Sequence, residues 1–305
     1  MSTFRLALVL CAISVGAFAS TGCNKLDARR LNTDGTRLHK DGKFLAATEK
    51  FEAALAKQDL PQVHYNAALS YIKLFMVGCD PQKDKDETGK LRCPDNAKYA
   101  DKAAEHLGIW IKFNPADKAS RDRMTRVWLD NNQFDKAVGY WQELLAQDPK
   151  NPEIMGKLAG INFKARRWRE TMDWYNKQAD VTPGDNARAA AYQSMGNVAW
   201  AFLSNRDKMM WEERIECADR GIGALESAAK LNPKKPEIVG MLAALYNFRA
   251  IAHGPFWAGA IDRASAKIQS DRRRVLADEA KKAAGEVVPS TPGATPGPAQ
   301  PKSGG

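Results

Sequence analysis

The chain has 305 residues, of which 44% are hydrophobic and 27% charged, a balance that suits a soluble globular body with a sizeable core. Its formal net charge of +10 favours acidic partners: an acidic protein face, anionic lipid head groups, an acidic envelope polymer or nucleic acid. Nucleic acid is disfavoured because the start of the chain has the features of an export signal.

Residues 1–22 predict a secretory signal peptide. One positive charge, Arg5, precedes an uncharged apolar run that is too short for an ordinary transmembrane span. Ala17-Phe18-Ala19 fits a signal peptidase site, whereas Ser20-Thr21-Gly22-Cys23 resembles a bacterial lipobox, whose cysteine is lipidated and becomes the mature N-terminus. Ser20 stands where Leu is usual, and an uncleaved apolar helix is the remaining alternative. We favour lipidation of Cys23, followed by a membrane-proximal linker at 23–30.

Further cysteines indicate an oxidising compartment. Cys79 and Cys93 bracket a polar loop, and each adjoins a loop-forming residue, which predicts a disulfide. A zinc site is less favoured because no histidine is nearby. The loop's carboxylates suggest calcium only weakly, since lysines interleave and neutralise them. Cys217 lies in a helical pattern and is predicted to be a small buried hydrophobe, with a reactive thiol as the alternative.

A pattern of aromatic residues and proline recurs at a spacing of about 34 residues. Two copies stand at matching offsets: Phe134, Trp141 and Pro149, then Trp168, Tyr175 and Pro183. A second internal match relates residues 152–159 to residues 236–243. A unit of this length forms two helices and is too small to bury its own apolar face, so such units must stack.

The pattern resembles the tetratricopeptide repeat (TPR), which places small residues where its helices cross and large ones where they interlock. The resemblance covers roughly residues 28–265 and implies an all-α solenoid of about six helical hairpins. An unrelated helical bundle is the alternative. The predicted repeats are 28–59, 61–116 with a loop inserted at 79–93, 118–150, 151–184, 185–234 and a sixth from residue 235; the whole solenoid spans 31–284.

A long helix, about residues 257–284, is predicted to cap the array. Arg272–Arg274 are expected on its solvated face, with recognition of phosphate or acidic lipid as the alternative. Residues 285–305 are rich in Pro and Gly and predict a disordered tail. The apolar stripe expected to cover the last repeat comprises Ile261, Ala264, Ile268, Val275 and Leu276.

No catalytic motif is found in the sequence: it contains no glycine-rich phosphate loop, no nucleophile elbow and no His-Glu-x-x-His. The four histidines are scattered, and His64 and His106 are expected to be packing or surface residues. We therefore predict a protein that is not an enzyme and that uses no cofactor or metal.

The TPR resemblance implies that the first helix of each repeat lines a concave groove. The family's inward-pointing offsets give a basic strip flanked by aromatic and amide side chains, which suits an acidic or extended peptide. The set does not match the family's carboxylate clamp, and an ordinary solvated groove is the alternative. Met209–Trp211 form a second candidate contact surface, with packing against the sixth repeat as the alternative. The groove residues are Tyr65, Asn66, Leu69, Lys73, Arg123, Arg126, Asp130, Lys157, Lys164, Gln193, Asn197, Trp200 and Asn247.

These features predict an envelope-anchored TPR scaffold that docks a partner protein or peptide and assists a cell-envelope complex. Asn24 after the lipidated cysteine resembles the signal that sends lipoproteins to the outer membrane, where the chain would face the periplasm; without the lipid it would be soluble and periplasmic or secreted. The alternative function is a binding module for an acidic envelope polymer or anionic lipid. A cell-wall enzyme is the least supported hypothesis.

Overall fold

The computed structural model describes residues 23–77, 96–205 and 209–284. Across these residues the regular structure is helical and contains no strand, so the predicted all-α fold is confirmed. The signal peptide, the Cys79–Cys93 pairing and the C-terminal tail lie outside the described residues.

Successive helices form antiparallel pairs, and the pairs coincide with the predicted repeats, as expected for stacked hairpins of the TPR type. The pair of repeat five is lengthened, with helices of 19 and 21 residues against 13 and 14 in repeat four. The helices are α1 (residues 23–40), α2 (Phe44–Lys57), α3 (Pro61–Val77), α4 (Ala97–Phe113), α5 (Lys118–Asp130), α6 (Phe134–Gln147), α7 (Pro152–Lys164), α8 (Trp168–Val181), α9 (Asp185–Leu203), α10 (Trp211–Leu231), α11 (Pro236–His253) and α12 (Trp257–Ala283).

The chain divides into two compact units, an N-terminal unit that ends at Glu143 and a C-terminal unit that begins at Leu144. The N-terminal unit contains α1 to α5 and most of α6. The C-terminal unit contains α7 to α12.

Three first helices end in the same left-handed turn. Gly42, Asn132 and Arg166 have φ values of 74°, 57° and 62°. In each case the next backbone N–H donates to the carbonyl five residues back, at 2.8–2.9 Å, which is the Schellman pattern. Gly and Asn adopt this conformation at the lowest steric cost, which explains their place in the turn. The repeated turn fixes how each second helix folds back on the first.

Small residues let helices approach closely in the N-terminal unit. Ala47, Ala54 and Ala103 are fully buried and belong to one apolar cluster around Phe51. The Phe51 ring lies so close to Gly35 that a Cβ built there would sit 2.7 Å from a ring carbon. The aromatic therefore fills the space that the missing side chain leaves, as the TPR resemblance implies.

Close backbone approach is also the basis of the C-terminal core. A Cβ on Gly221 would lie 2.4 Å from Cβ of Ala199, and one on Gly196 would lie 2.5 Å from Leu225. Cys217 is fully buried in the same cluster, which confirms its predicted role. Burial raises the pKa of its thiol to about 12, so the sulfur stays protonated and unreactive.

Two segments differ from the sequence analysis. Residues 23–30, assigned there to a linker, belong to α1, and Ala28 is buried against the core. The stripe expected to pack from α12 faces outward: Ile261, Ile268 and Val275 are 55%, 64% and 56% exposed. That prediction was wrong, because the helix packs on α11 through the opposite side.

The inner side of α12 is small and polar rather than apolar. Gly259 and Ala266 are buried there, and the buried Asp262 carboxylate accepts charge-assisted hydrogen bonds from Arg249 of α11 at 2.7–3.2 Å. Farther along, the side chain of Arg273 lies over Gly240. An ion pair and close approach at glycine thus fix which side of α12 is covered.

Candidate functional site

In the N-terminal unit, α3 and α5 bring two predicted groove residues into direct contact. Arg123 Nη1 donates to Tyr65 Oη at 3.1 Å, and its guanidinium lies 5.8 Å from the centre of the Tyr65 ring. The other side of the ring meets Trp110 of α4, with ring centres 5.1 Å apart. Arg123 is therefore held in place by an aromatic support and keeps further N–H donors for a ligand.

A polar row continues from α3 onto α1. Asn66 Nδ2 donates to Asn32 Oδ1 at 2.9 Å, across a separation of 34 residues, which is one repeat. Asn66 Oδ1 accepts from Gln62 Nε2 at 3.2 Å. Asn32 was not predicted because the groove offsets were not carried into repeat one, and Gln62 was not predicted because it lies outside the offsets applied to repeat two. Asn32 could have been found from the sequence, because it precedes Asn66 by 34 residues, the spacing of the repeat.

Lys73 and Arg126 are the exposed cations of this unit's predicted set. Near Lys73, Nδ1 of His39 lies 2.7 Å from Ser70 Oγ. Burial and the Lys73 charge lower the pKa of His39, which favours a neutral ring at neutral pH. The first helices of the N-terminal unit thus present hydrogen-bonding amides, a supported arginine and exposed cations.

The C-terminal unit contains the remaining predicted groove residues, on α7, α9 and α11. Gln193 Oε1 accepts from Nζ of Lys235 at 2.9 Å, so this amide is tied to the start of α11. Trp200 is 47% exposed, a large fraction for an indole in a helical repeat. Lys157 is partly buried, whereas the exposed members of the set are Lys164, Asn197 and Asn247.

A second aromatic and cationic contact joins the ends of α7 and α9. The rings of Phe163 and Phe202 meet edge to face at 5.7 Å, and the guanidinium of Arg166 lies 4.7 Å from the Phe202 ring. Phe163 remains 37% exposed. These residues were not predicted from the sequence, because they are not among the groove positions that the TPR resemblance implies.

A chain of polar side chains connects the first two repeats; its histidines are buried, whereas the carboxylates of Asp59 and Glu52 are 69% and 42% exposed. Nε2 of His64 lies 2.8 Å from Asp59 Oδ1, and the Nδ1 atoms of His64 and His106 lie 2.7 Å apart. Nε2 of His106 lies 3.1 Å from Glu52 Oε1, which also accepts from Tyr71 Oη at 2.7 Å. Both histidines are buried packing residues, one of the two roles expected from the sequence. The chain orients α2, α3 and α4 against one another.

The protonation of this chain follows from its geometry. Burial lowers the pKa of His106, although Glu52 opposes the shift. Hydrogen bonds from Tyr71 and His106 lower the pKa of Glu52 despite burial, which acts in the opposite direction. The two facing Nδ1 atoms can share one proton but cannot both carry one. Full protonation of the pair is therefore incompatible with this packing.

Residues 209–211 divide between core and surface. Met209 packs against the C-terminal core, whereas Met210 and Trp211 are 70% and 58% exposed. No helix in the described ranges is both long and apolar enough to span a bilayer. Over the same residues, no three His, Cys, Asp or Glu side chains come together as metal ligands.

The chain is similar to several solved structures. A TPR-repeat protein from Bacteroides fragilis NCTC 9343 is 18% identical, with 72% of this chain and 97% of that chain covered and a TM-score of 0.42. MamA from Desulfovibrio magneticus RS-1 is 15% identical, with 59% and 87% covered and a TM-score of 0.38. The APC/C hetero-tetramer Cut9–Hcn1 is 12% identical, with 84% and 43% covered and a TM-score of 0.31. No protein-family model and no curated protein matches the sequence.

Proposed function

We propose that the protein is a TPR-type scaffold that binds an acidic or extended segment of a partner protein through the first helices of its repeats. The observation that supports this most is the pairing of Arg123 with Tyr65 across α3 and α5, two first helices that also carry the exposed cations Lys73 and Arg126. A held guanidinium loses little side-chain entropy on binding, and its free donors suit a carboxylate.

The first helices of the C-terminal unit are proposed to contribute a more apolar contact. Trp200 offers a large exposed ring, and Asn197 lies one turn before it on α9. Aromatic side chains of this kind anchor peptide partners, and neighbouring amides satisfy a peptide backbone. Each unit would thus supply a different chemistry to the partner.

Charge reversal in the N-terminal unit tests this proposal. We expect Lys73→Glu combined with Arg126→Glu to reduce capture of the partner at least ten-fold with unchanged helicity. The matched control is Lys50→Glu with Lys57→Glu, which reverses two exposed cations on the second helix α2. The readout is cross-linking in cells from a photoreactive residue at Gln62, an exposed position on α3 of the same unit, followed by identification of the captured protein. Equal capture by the groove variant and the control variant would refute the assignment.

The dependence of binding on salt concentration distinguishes a peptide ligand from the alternative ligand, an acidic envelope polymer. Binding of an acidic envelope polymer rests on screened charge and should collapse as ionic strength rises from 0.05 to 0.5 M, because the Debye length becomes shorter than the spacing of surface charges. A peptide with an apolar anchor on Trp200 should lose less affinity. Collapse in salt together with an unchanged Trp200→Ala variant would favour the polymer.

Anchoring at the envelope is a separate part of the proposal. Cys23 is exposed in α1, so its sulfur is accessible for a thioether-linked lipid. We expect Cys23→Ser to move the protein from the membrane fraction to the soluble periplasmic fraction. An unchanged membrane fraction counts against the lipid and leaves the groove proposal standing.

A further inference from the structure

The outer side of α12 carries a row of exposed apolar residues. Trp257 is 77% exposed, and Ile261, Ile268 and Val275 follow it at spacings of four and seven residues, each more than half exposed. Ala264, also exposed, lies in the same row. At 100° per residue these positions fall within a sector of about 60° on one side of the helix.

The row is not covered by the unit that carries it. The inner side of α12 packs on α11 through Gly259, Asp262 and Ala266, nearly opposite to the row. Single exposed apolar residues are ordinary, but four large ones that share one side of a 27-residue helix are typical of a contact surface. The helix therefore has one side for its own unit and another side for something else.

A second row, of cations, runs beside the first. Arg263, Lys267, Arg274 and Lys281 are all exposed and lie about 60–100° around the helix from the nearer edge of the apolar row. Asp271 and Asp278 lie between the two rows, and Asp271 pairs with Arg274 at 3.4 Å, so the cations outnumber the carboxylates on this side. The opposite edge is mixed, with Ser265, Arg272 and Glu279. An apolar seam bordered by charges is the arrangement by which paired helices select their partners.

We propose that the outer side of α12 docks an amphipathic helix of a partner protein, with an apolar seam and an acidic row that faces Lys267, Arg274 and Lys281. Antiparallel pairing with a second copy of the chain would set basic edge against basic edge, which repels. A lipid surface fits poorly because the apolar sector is narrower than the roughly 100° of a surface helix.

This surface lies on a second helix of a repeat pair, so it is separate from the first helices that carry the proposed function. With both surfaces in use, one chain would hold two different protein segments. The inference does not require the groove proposal to be correct.

The test uses the purified full chain and two designed 28-residue helical peptides with the same leucine seam. One peptide carries Glu at the flanking positions and the other carries Lys. By fluorescence anisotropy, we expect the Glu peptide to bind at least ten-fold more tightly than the Lys peptide. Ile268→Glu should abolish binding, whereas Leu45→Glu, a matched change at an exposed apolar residue of α2, should leave it intact.

A charge swap makes the test independent of folding defects. Lys267→Glu with Arg274→Glu should reverse the preference, so that the Lys peptide becomes the tighter ligand. Binding of the Glu peptide that is unaffected by Ile268→Glu, or equal binding of both peptides, overturns the proposal.

Two further measurements address the other occupants. Binding to vesicles of phosphatidylcholine and phosphatidylglycerol (3:1) that is lost in Ile268→Glu would overturn the proposal in favour of lipid. Dimerisation in sedimentation velocity that is lost in the same variant would overturn it in favour of a second copy. With neither result, and with the peptide preference as expected, the partner-helix assignment is supported.

Discussion

The two units use the same helical hairpin, and each has an apolar core, but they differ in what is buried where neighbouring repeats meet. In the N-terminal unit, the buried His64–His106 pair lies between Asp59 and Glu52 of repeat one. In the C-terminal unit, the close contacts are apolar: a Cβ on Gly221 would lie 2.4 Å from Cβ of Ala199 within repeat five and 2.7 Å from Cδ1 of Leu245 in repeat six.

This difference shows that the repeat pattern fixes the order and pairing of the helices but not the chemistry of the interface. A polar chain with buried histidines depends on protonation and on every partner being present. A close-packed apolar interface depends on volume. The N-terminal unit should therefore respond to pH and to loss of single polar atoms, and the C-terminal unit to added methyl groups.

The largest expected effect on stability comes from adding a methyl group to the packed core of the C-terminal unit. Gly221→Ala should lower the free energy of unfolding by about 1–3 kcal/mol, because its Cβ would lie 2.4 Å from Ala199 Cβ. The matched control is Gly223→Ala on the same helix, where no atom lies within 4 Å and the change should stabilise by about 0.5–1 kcal/mol. Urea denaturation measures both. Equal effects of the two changes would contradict the close-packing argument.

The next effect concerns one hydroxyl in each unit. Tyr71→Phe removes the donor to Glu52 inside the polar chain and should cost about 1–2 kcal/mol. Tyr246→Phe removes the donor to Glu226 at the surface of the C-terminal unit, where water replaces the bond, and should cost about 0–0.5 kcal/mol. If urea denaturation shows the second change to cost as much as the first, the contrast between the units is wrong.

The smallest effect is a pH dependence confined to the N-terminal unit. His39 and His106 have pKa values below the ordinary 6.5, so the unfolded chain binds their protons more readily. Stability is full above pH 6.5 and falls below it; the lowered pKa of Glu52 adds a further loss below about pH 4.5. Hydrogen-exchange protection of α2–α4 should fall between pH 7.5 and 5.

Helices α9 and α10, which enclose the apolar core around Leu225, serve as the internal control. Their hydrogen-exchange protection should change less over this pH range. His106→Gln should lower protection at pH 7.5 and flatten its dependence on pH. A steeper dependence in the C-terminal unit than in the N-terminal unit would contradict the assignment.

Helix order and boundaries could be predicted from the sequence because their signals are local. Asn151 and Pro152 start α7, where the asparagine side chain accepts from two backbone N–H groups at 3.0 and 3.1 Å. Gly42 and Asn132 end first helices in the left-handed turn. Each such signal depends on a few neighbouring residues, so no knowledge of the tertiary contacts was needed.

Contacts between distant helices could not be predicted in the same way. The pairing of His64 with His106 spans 42 residues and an inserted loop, which hides the register between α3 and α4. The orientation of α12 was mistaken because its apolar stripe was assumed to be the covered side, whereas Arg249 selects Asp262 on the opposite side. Of the groove set, the contact of Arg123 with Tyr65 depends on the crossing of α3 and α5, which no local pattern reveals.

The turn at Arg166 has a consequence for how the repeats melt. A non-glycine residue at φ 62° carries a local conformational cost, and the Arg166 side chain meets Phe202 of the next repeat. Local unfolding of repeat four would relieve the backbone strain at Arg166, but it would also break the contact between the Arg166 guanidinium and the Phe202 ring. The turn therefore couples two neighbouring repeats, and we expect repeats four and five to unfold together rather than one at a time.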